Sequence, residues 1–210
     1  LLAINNTEKH FNNTTGKKFL WNAKMRFGKT LSALQLIKEM EFERTLILTH
    51  RPVVDAGWSE DFGKIFYDRY DFEYGSKNKG EEFTNLNELH DSGGKKFIYF
   101  ASMQDLRGSE LVGGNFNKND EVFAAQWDLV IIDEAHEGTK TELGEAVVKG
   151  LSKPNTKILR LSGTPFNLFD DFKEDEIYTW DYVMEQRAKQ EWDETHWGDP
   201  NPYACLPKLN

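Results

Sequence analysis

The sequence predicts an α/β domain built on a doubly wound, mostly parallel sheet, and two observations predict it. Short apolar runs recur at residues 19–23, 45–49, 97–101, 129–132 and 158–161, with the length and composition of buried strands. Helix-length segments lie between several of these runs, and strand, helix, strand alternation makes neighbouring strands parallel. Sheets of this kind gather their ligands at the carboxyl ends of the strands.

Taken in order, the first strand (19–23) leads through a short loop to Thr30, after which Leu31, Leu34, Ile37, Lys38 and Met40 sit at helical spacing. The second strand (45–49) follows. Residues 75–80 and 108–120 are rich in Gly and polar residues and read as loops. After the strand at 129–132, residues 141–148 form an amphipathic helix with Leu143, Ala146 and Val147 on one face, before the strand at 158–161. From residue 166 onward an acidic run gives way to residues 177–192, whose aromatic and apolar residues fall at loose helical spacing, and then to a Pro-containing coil. The expected organisation is a domain over 1–166 and an acidic, partly helical extension over 167–210 leading out of it.

Composition sets outer limits. With 210 residues, 39% hydrophobic, 13% aromatic and 29% charged, the chain has the balance of one folded domain. No apolar run approaches the roughly 18 residues of a membrane span, no secretory leader is recognisable, and a lone Cys205 cannot form an internal disulfide. A cytoplasmic location is expected, with no membrane partner. Leu1 in place of an initiator Met suggests a piece of a longer protein. The net charge of −9 opposes binding of phosphate backbones, but residues 166–210 alone hold eleven acidic and four basic residues. The remaining part is close to neutral, which leaves room for a local basic groove.

The chemistry concentrates at two places. Ala23-Lys24-Met25-Arg26-Phe27-Gly28-Lys29-Thr30 lies between the first strand and a helix, the context a phosphate-binding P-loop requires. Backbone N–H groups around Met25, Arg26, Phe27 and Gly28 would surround the phosphates of ATP, with Lys29 neutralising the β and γ oxygens and the Thr30 hydroxyl ligating Mg²⁺. The first Gly of the usual pattern is Ala23 here, and Arg26 stands where another Gly is common; Arg26 itself reads as a solvated loop cation. The second place is the apolar strand that ends in Asp133-Glu134-Ala135-His136. Asp133 would hold Mg²⁺ through water, Glu134 would orient and deprotonate the attacking water, and His136 would relay. Alternative readings are a surface turn opening a helix, and acids favouring a helix dipole. The functional reading requires Lys29 with Thr30, and Asp133 with Glu134, to converge from adjacent strand ends.

Together with Leu161-Ser162-Gly163-Thr164-Pro165, these segments resemble motifs I, II and III of superfamily-2 helicases and translocases, the DEAD/DEAH group, in forms similar to restriction-enzyme motor subunits and chromatin-remodelling translocases. The resemblance covers about residues 19–166. It implies a RecA-like P-loop NTPase fold, the first of two such lobes, with Ser162 and Thr164 coupling nucleotide state to the second lobe. Leu48-Thr49-His50-Arg51 and Phe100-Ala101-Ser102-Met103-Gln104 resemble segments that grip a DNA or RNA backbone, implying contacts from Thr49, Arg51, Ser102 and Gln104. Helix capping is the alternative for the hydroxyls. The family's glutamine-bearing adenine motif is not found upstream of Phe19, and no second lobe with its arginine finger is present. A nuclease or methyltransferase component is the partner that a restriction motor implies. Two other functions stay open: a P-loop ATPase acting as a switch or protein remodeller without nucleic acid, and a non-catalytic assembly module docking through Trp180, Trp192 and Trp197.

Overall fold

A computed structural model describes residues 1–24, 27–50, 54–77, 86–91, 93–133, 141–164, 168–202 and 204. Its centre is a seven-stranded sheet formed by β1 (Lys18–Ala23), β2 (Arg44–Thr49), β3 (Phe72–Ser76), β4 (Lys96–Ser102), β5 (Leu129–Asp133), β6 (Lys157–Ser162) and β7 (Ile177–Trp180). The strand order is β3-β4-β2-β5-β6-β1-β7, and every pairing is parallel. The helices are α1 (Leu2–Phe11), α2 (Lys29–Met40), α3 (Asp55–Ile65), α4 (Leu86–His90), α5 (Met103–Arg107), α6 (Asp120–Ala124), α7 (Glu142–Leu151) and α8 (Tyr182–Thr195).

Alternate residues of the strands feed two separate cores, one on each face, which is what two-sided burial demands of a parallel sheet. Phe19, Trp21, Ile47, Ile131 and Leu159 pack with α1, α2 and α3, while Leu20, Leu46, Leu48, Val130 and Ile132 pack with α4 to α7. The amino-terminal helix is tied into the first core by a buried hydrogen bond from Trp21 Nε1 to Thr7 Oγ1 at 2.8 Å.

All five strands expected from the apolar runs are present, and four departures have physical reasons. Leu31 and Leu143 are exposed. The buried faces are instead Ala33, Leu34, Leu36 and Ile37 in α2, and Gly144, Val147, Val148 and Leu151 in α7. Thr141 caps α7 by accepting from Gly144 N at 3.2 Å, which fixes where that helix starts and puts Leu143 in its first turn. Gly75 and Ser76, expected in a loop, end β3. Residues 177–192 are not one helix: Ile177–Trp180 is a strand alternating β-branched and aromatic side chains, and Asp181 caps α8 by accepting from Met184 N at 3.0 Å. The segment expected to leave the domain therefore supplies the edge strand beside β1.

Candidate nucleotide and nucleic-acid site

The sequence-predicted residues that the structure describes gather at one edge of the sheet, where the parallel strands end. β1 stops at Ala23 and α2 begins at Lys29, so a short connection takes the chain from the strand end into the helix. Gly28 makes this possible, because its φ of 77° lies in the left-handed region, and it is the residue before the first turn of α2. Among the described residues no side chain caps that helix end, and its first N–H groups carry the partial positive charge of a helix start, which favours anions.

Strand register places the other residues. Thr49 pairs with Asp133 on one side and with Ser102 on the other, so the ends of β4, β2 and β5 are level. Ser162 pairs with Asn22, one residue before the end of β1. β1 and β5 are not neighbours, as adjacent strand ends would have required: β6 lies between them. Two inter-strand spacings separate them by roughly 9.5 Å, a gap that an extended triphosphate and its cation can span. The turn that follows β6 lies against the β1 side of this gap. A methyl group placed on Gly163 would lie 3.5 Å from the Ala23 carbonyl oxygen and 3.8 Å from Lys24 Cα, so the Ser162-Gly163-Thr164 turn rests on the start of the candidate phosphate loop. Within that turn Thr164 N donates to Ser162 Oγ at 3.2 Å.

Met25, Arg26, Arg51, Glu134 and His136 lie outside the described residues. Of the residues expected to touch nucleic acid, Thr49 is 3% exposed and Ser102 is 7% exposed. The Ser102 hydroxyl caps α5 by accepting from Asp105 N at 3.2 Å. Gln104, in the first turn of α5, is exposed at the same edge.

Two features were missed in the sequence. Phe27 is packed by Trp21 at 6.3 Å, Tyr178 at 6.2 Å and Trp180 at 5.7 Å between ring centroids, so β7 packs against the end of the candidate phosphate loop. The signal was present in Ile177-Tyr178-Thr179-Trp180, a β-branched and aromatic run. At the opposite flank, Asp105 joins Lys118 at 2.7 Å and Lys77 at 3.0 Å. Burial pushes the Asp105 carboxyl up, but the hydrogen bonds from Lys118 and Lys77 outweigh it and hold it below the ordinary value.

The donor set suits a hard, hydrated cation. Among the described residues no group of three or more His, Cys, Asp or Glu forms a protein-only cage. One hydroxyl and one carboxylate, Thr30 and Asp133, are what Mg²⁺ takes when phosphates and waters complete its shell. Among the described residues no helix is long and apolar enough to cross a membrane.

Comparison with known proteins gives the chain a family and its fold a class. The family model described as "Type III restriction enzyme, res subunit" matches residues 2–167. A putative type II restriction enzyme and methyltransferase (C-terminus) of Mycoplasma pneumoniae is 25% identical over 250 aligned positions, covering 97% of this chain and 33% of the relative. The chain thus spans about a third of that protein's length. Among solved structures, the SWI2/SNF2 ATPase core of Sulfolobus solfataricus, determined in complex with dsDNA, matches with a TM-score of 0.56 at 17% identity, covering 83% of this chain and 34% of that one. The Hef helicase domain of Pyrococcus furiosus matches with a TM-score of 0.56 at 15% identity, covering 87% and 39%. The UvsW helicase of bacteriophage T4 matches at 0.54 and 13%, covering 83% and 59%. These likenesses identify the fold as a RecA-like helicase domain.

Proposed function

Because this chain belongs to the type III restriction enzyme res-subunit family and is a helicase-like ATPase domain, we propose that it binds and hydrolyses ATP to drive movement along a DNA or RNA backbone. The observation that carries this reading is the convergence at one sheet edge: the start of α2 at Lys29 and Thr30, Asp133 at the end of β5, and Gly163 resting on Ala23 between them.

Each residue then has a defined task. Lys29 and the first N–H groups of α2 neutralise the β and γ phosphate oxygens. Thr30 ligates Mg²⁺ directly and Asp133 holds it through water, and the bound cation supplies charge neutralisation at the phosphates. Glu134 orients the attacking water and accepts its proton, with His136 as relay. Ser162 and Thr164, held in one turn against the phosphate loop, pass the nucleotide state to a second RecA-like lobe. Gln104 and Arg51 contact the nucleic-acid backbone, while Thr49 is buried at its strand end and the Ser102 hydroxyl caps α5. The match to a restriction enzyme and methyltransferase relative supports a motor that works with a nuclease or methyltransferase component.

An arginine from the second lobe contributes on the order of 10³ to 10⁵ to phosphoryl transfer in related chemistry, so this chain alone is a poor ATPase. The test is Mg²⁺-dependent ATP binding and turnover by the chain, with and without DNA or RNA, beside Lys29→Ala. The reading expects binding that Lys29→Ala removes, and slow turnover. Brisk hydrolysis by the chain alone, or binding indifferent to Lys29, overturns it.

A further inference from the structure

A phosphate site at the start of α2 binds well only if its N–H groups are held in place before the ligand arrives, because ordering a loose backbone on binding weakens affinity. Gly28, the residue before that helix, does not supply the order. It is the most permissive residue type, it stands at φ 77°, and among the described residues nothing lies within 4 Å of the place a Cβ would take. The backbone turn beside it closes on a long hydrogen bond, Phe27 N to Lys24 O at 3.4 Å. The anchor is the Phe27 side chain.

Three aromatic rings surround Phe27, and they come from two strands. Trp21 of β1 is fully buried and its indole N–H is tied to Thr7, so the core fixes this wall. The other two walls, Tyr178 and Trp180, stand on β7, where register sets Tyr178 beside Trp21 and Trp180 beside Ala23. Trp180 is held in turn by donating from Nε1 to Glu185 Oε1 at 3.2 Å, and Glu185 is buried in the first turn of α8. β7 has four residues and is the last strand of the sheet, paired with β1. A short strand at a sheet end is the kind of element that opens locally while the rest of a domain stays folded. Opening β7 removes two of the three walls around Phe27 and loosens the backbone that leads into Gly28 and Lys29.

We propose that Tyr178 and Trp180 are positioning residues of the phosphate site, acting through the Phe27 ring, so that docking of β7 on β1 and binding of a triphosphate strengthen each other. The proposal rests on the nucleotide reading above. It gives the segment beyond residue 166 a task at the site: nucleotide state is felt at β7 and α8 as well as at the Ser162-Gly163-Thr164 turn. By linkage the coupling is reciprocal, so a ligand that favours the ordered loop holds β7 closed to the same extent that β7 favours the ligand.

Two measurements on the chain test this. Hydrogen exchange of the wild type, with and without inorganic tripolyphosphate and Mg²⁺, compares β7 with β3, the strand at the other end of the sheet. The expected result is slowed exchange at residues 177–180 with β3 unchanged; equal slowing at both ends, or none at β7, overturns the coupling and needs no variant. Calorimetry then compares ATP with tripolyphosphate, each with Mg²⁺. Trp180→Ala weakens both ligands by one common factor, about fivefold or more, and Trp180→Phe restores most of the loss. A drop in unfolding midpoint with both affinities within about twofold of the wild type makes β7 structural only and overturns the proposal, as does weakening of ATP alone. A wild-type chain that binds neither ligand, or binds both regardless of Lys29→Ala, removes the nucleotide reading and this proposal with it.

Discussion

Thr49 and Asp133 stand opposite each other at the carboxyl ends of neighbouring parallel strands, Thr49 sealed at 3% exposure and Asp133 half-open. The pair divides labour: one residue belongs to the packed sheet and the other is partly open to solvent. Asp133→Asn keeps size and shape while removing the charge proposed to hold a cation. It should leave thermal unfolding close to the wild type and abolish Mg²⁺-dependent ATP turnover, measured with nucleic acid present. Loss of folding instead would place Asp133 among the structural residues.

The attachment of α1 can be tested through its buried hydrogen bond. Thr7 Oγ1 accepts from Trp21 Nε1 and donates to the Ala3 carbonyl at 2.7 Å, and both side chains are 0% exposed. Thr7→Val preserves volume but leaves the indole N–H without an acceptor, a loss of about 1–3 kcal/mol. Denaturant unfolding of the variant should show that drop in midpoint stability with an unchanged slope.

Two glycines predict opposite signs. A methyl on Gly16 would lie 1.9 Å from the His10 carbonyl oxygen, so Gly16→Ala forces the connection between α1 and β1 apart, at about 1–3 kcal/mol. Gly63, within α3, has nothing within 4 Å of that position. Gly63→Ala should stabilise by about 0.5–1 kcal/mol, since the helix loses a flexible residue. Melting curves of the two variants decide both.

A pH effect follows from the far end of the sheet. Glu41 ends α2 with φ of 56°, a left-handed conformation unusual for a residue with a side chain, and its carboxylate is gripped by Arg69 at 2.6 Å and by Lys96. Hydrogen bonds from Arg69 first, then Lys96, lower its pKa from 4.5 to about 2. A carboxyl with a depressed folded-state pKa adds stability that is full above about pH 4.5 and is lost as pH falls toward about 2. The pair is partly exposed, so screening keeps the effect small. Glu41→Gln should show a shallower fall in melting temperature across that window than the wild type, and identical slopes would contradict the assignment.

Much of the architecture was readable because a strand buried on both faces must be apolar along its length. That condition marks β1, β2, β4, β5 and β6 as runs such as Leu129-Val130-Ile131-Ile132. It fails for the edge strands: β3 contains Glu73 and Gly75, and β7 is only four residues, too short to separate a period of two from a helical one. The rotation of α7 was misread at Leu143 because its face depends on the Thr141 cap as well as on spacing. Strand order is a property of the packed sheet, so the insertion of β6 between β1 and β5 could not be read from chain order. In the candidate site, Lys29, Thr30 and Asp133 were legible from chemistry tied to short local patterns. The packing of Trp180 on Phe27 and the Gly163 contact were not, since both depend on segments distant in sequence meeting at β1.

The central claim is that Lys29, Thr30 and Asp133 serve one magnesium-bound triphosphate across the end of β6. A crystal structure of the chain with Mg²⁺ and a non-hydrolysable ATP analogue tests it most directly. The account predicts phosphates at the start of α2, with Thr30 on the cation and Asp133 one water away. An analogue bound elsewhere, or a cation out of reach of Asp133, would contradict it.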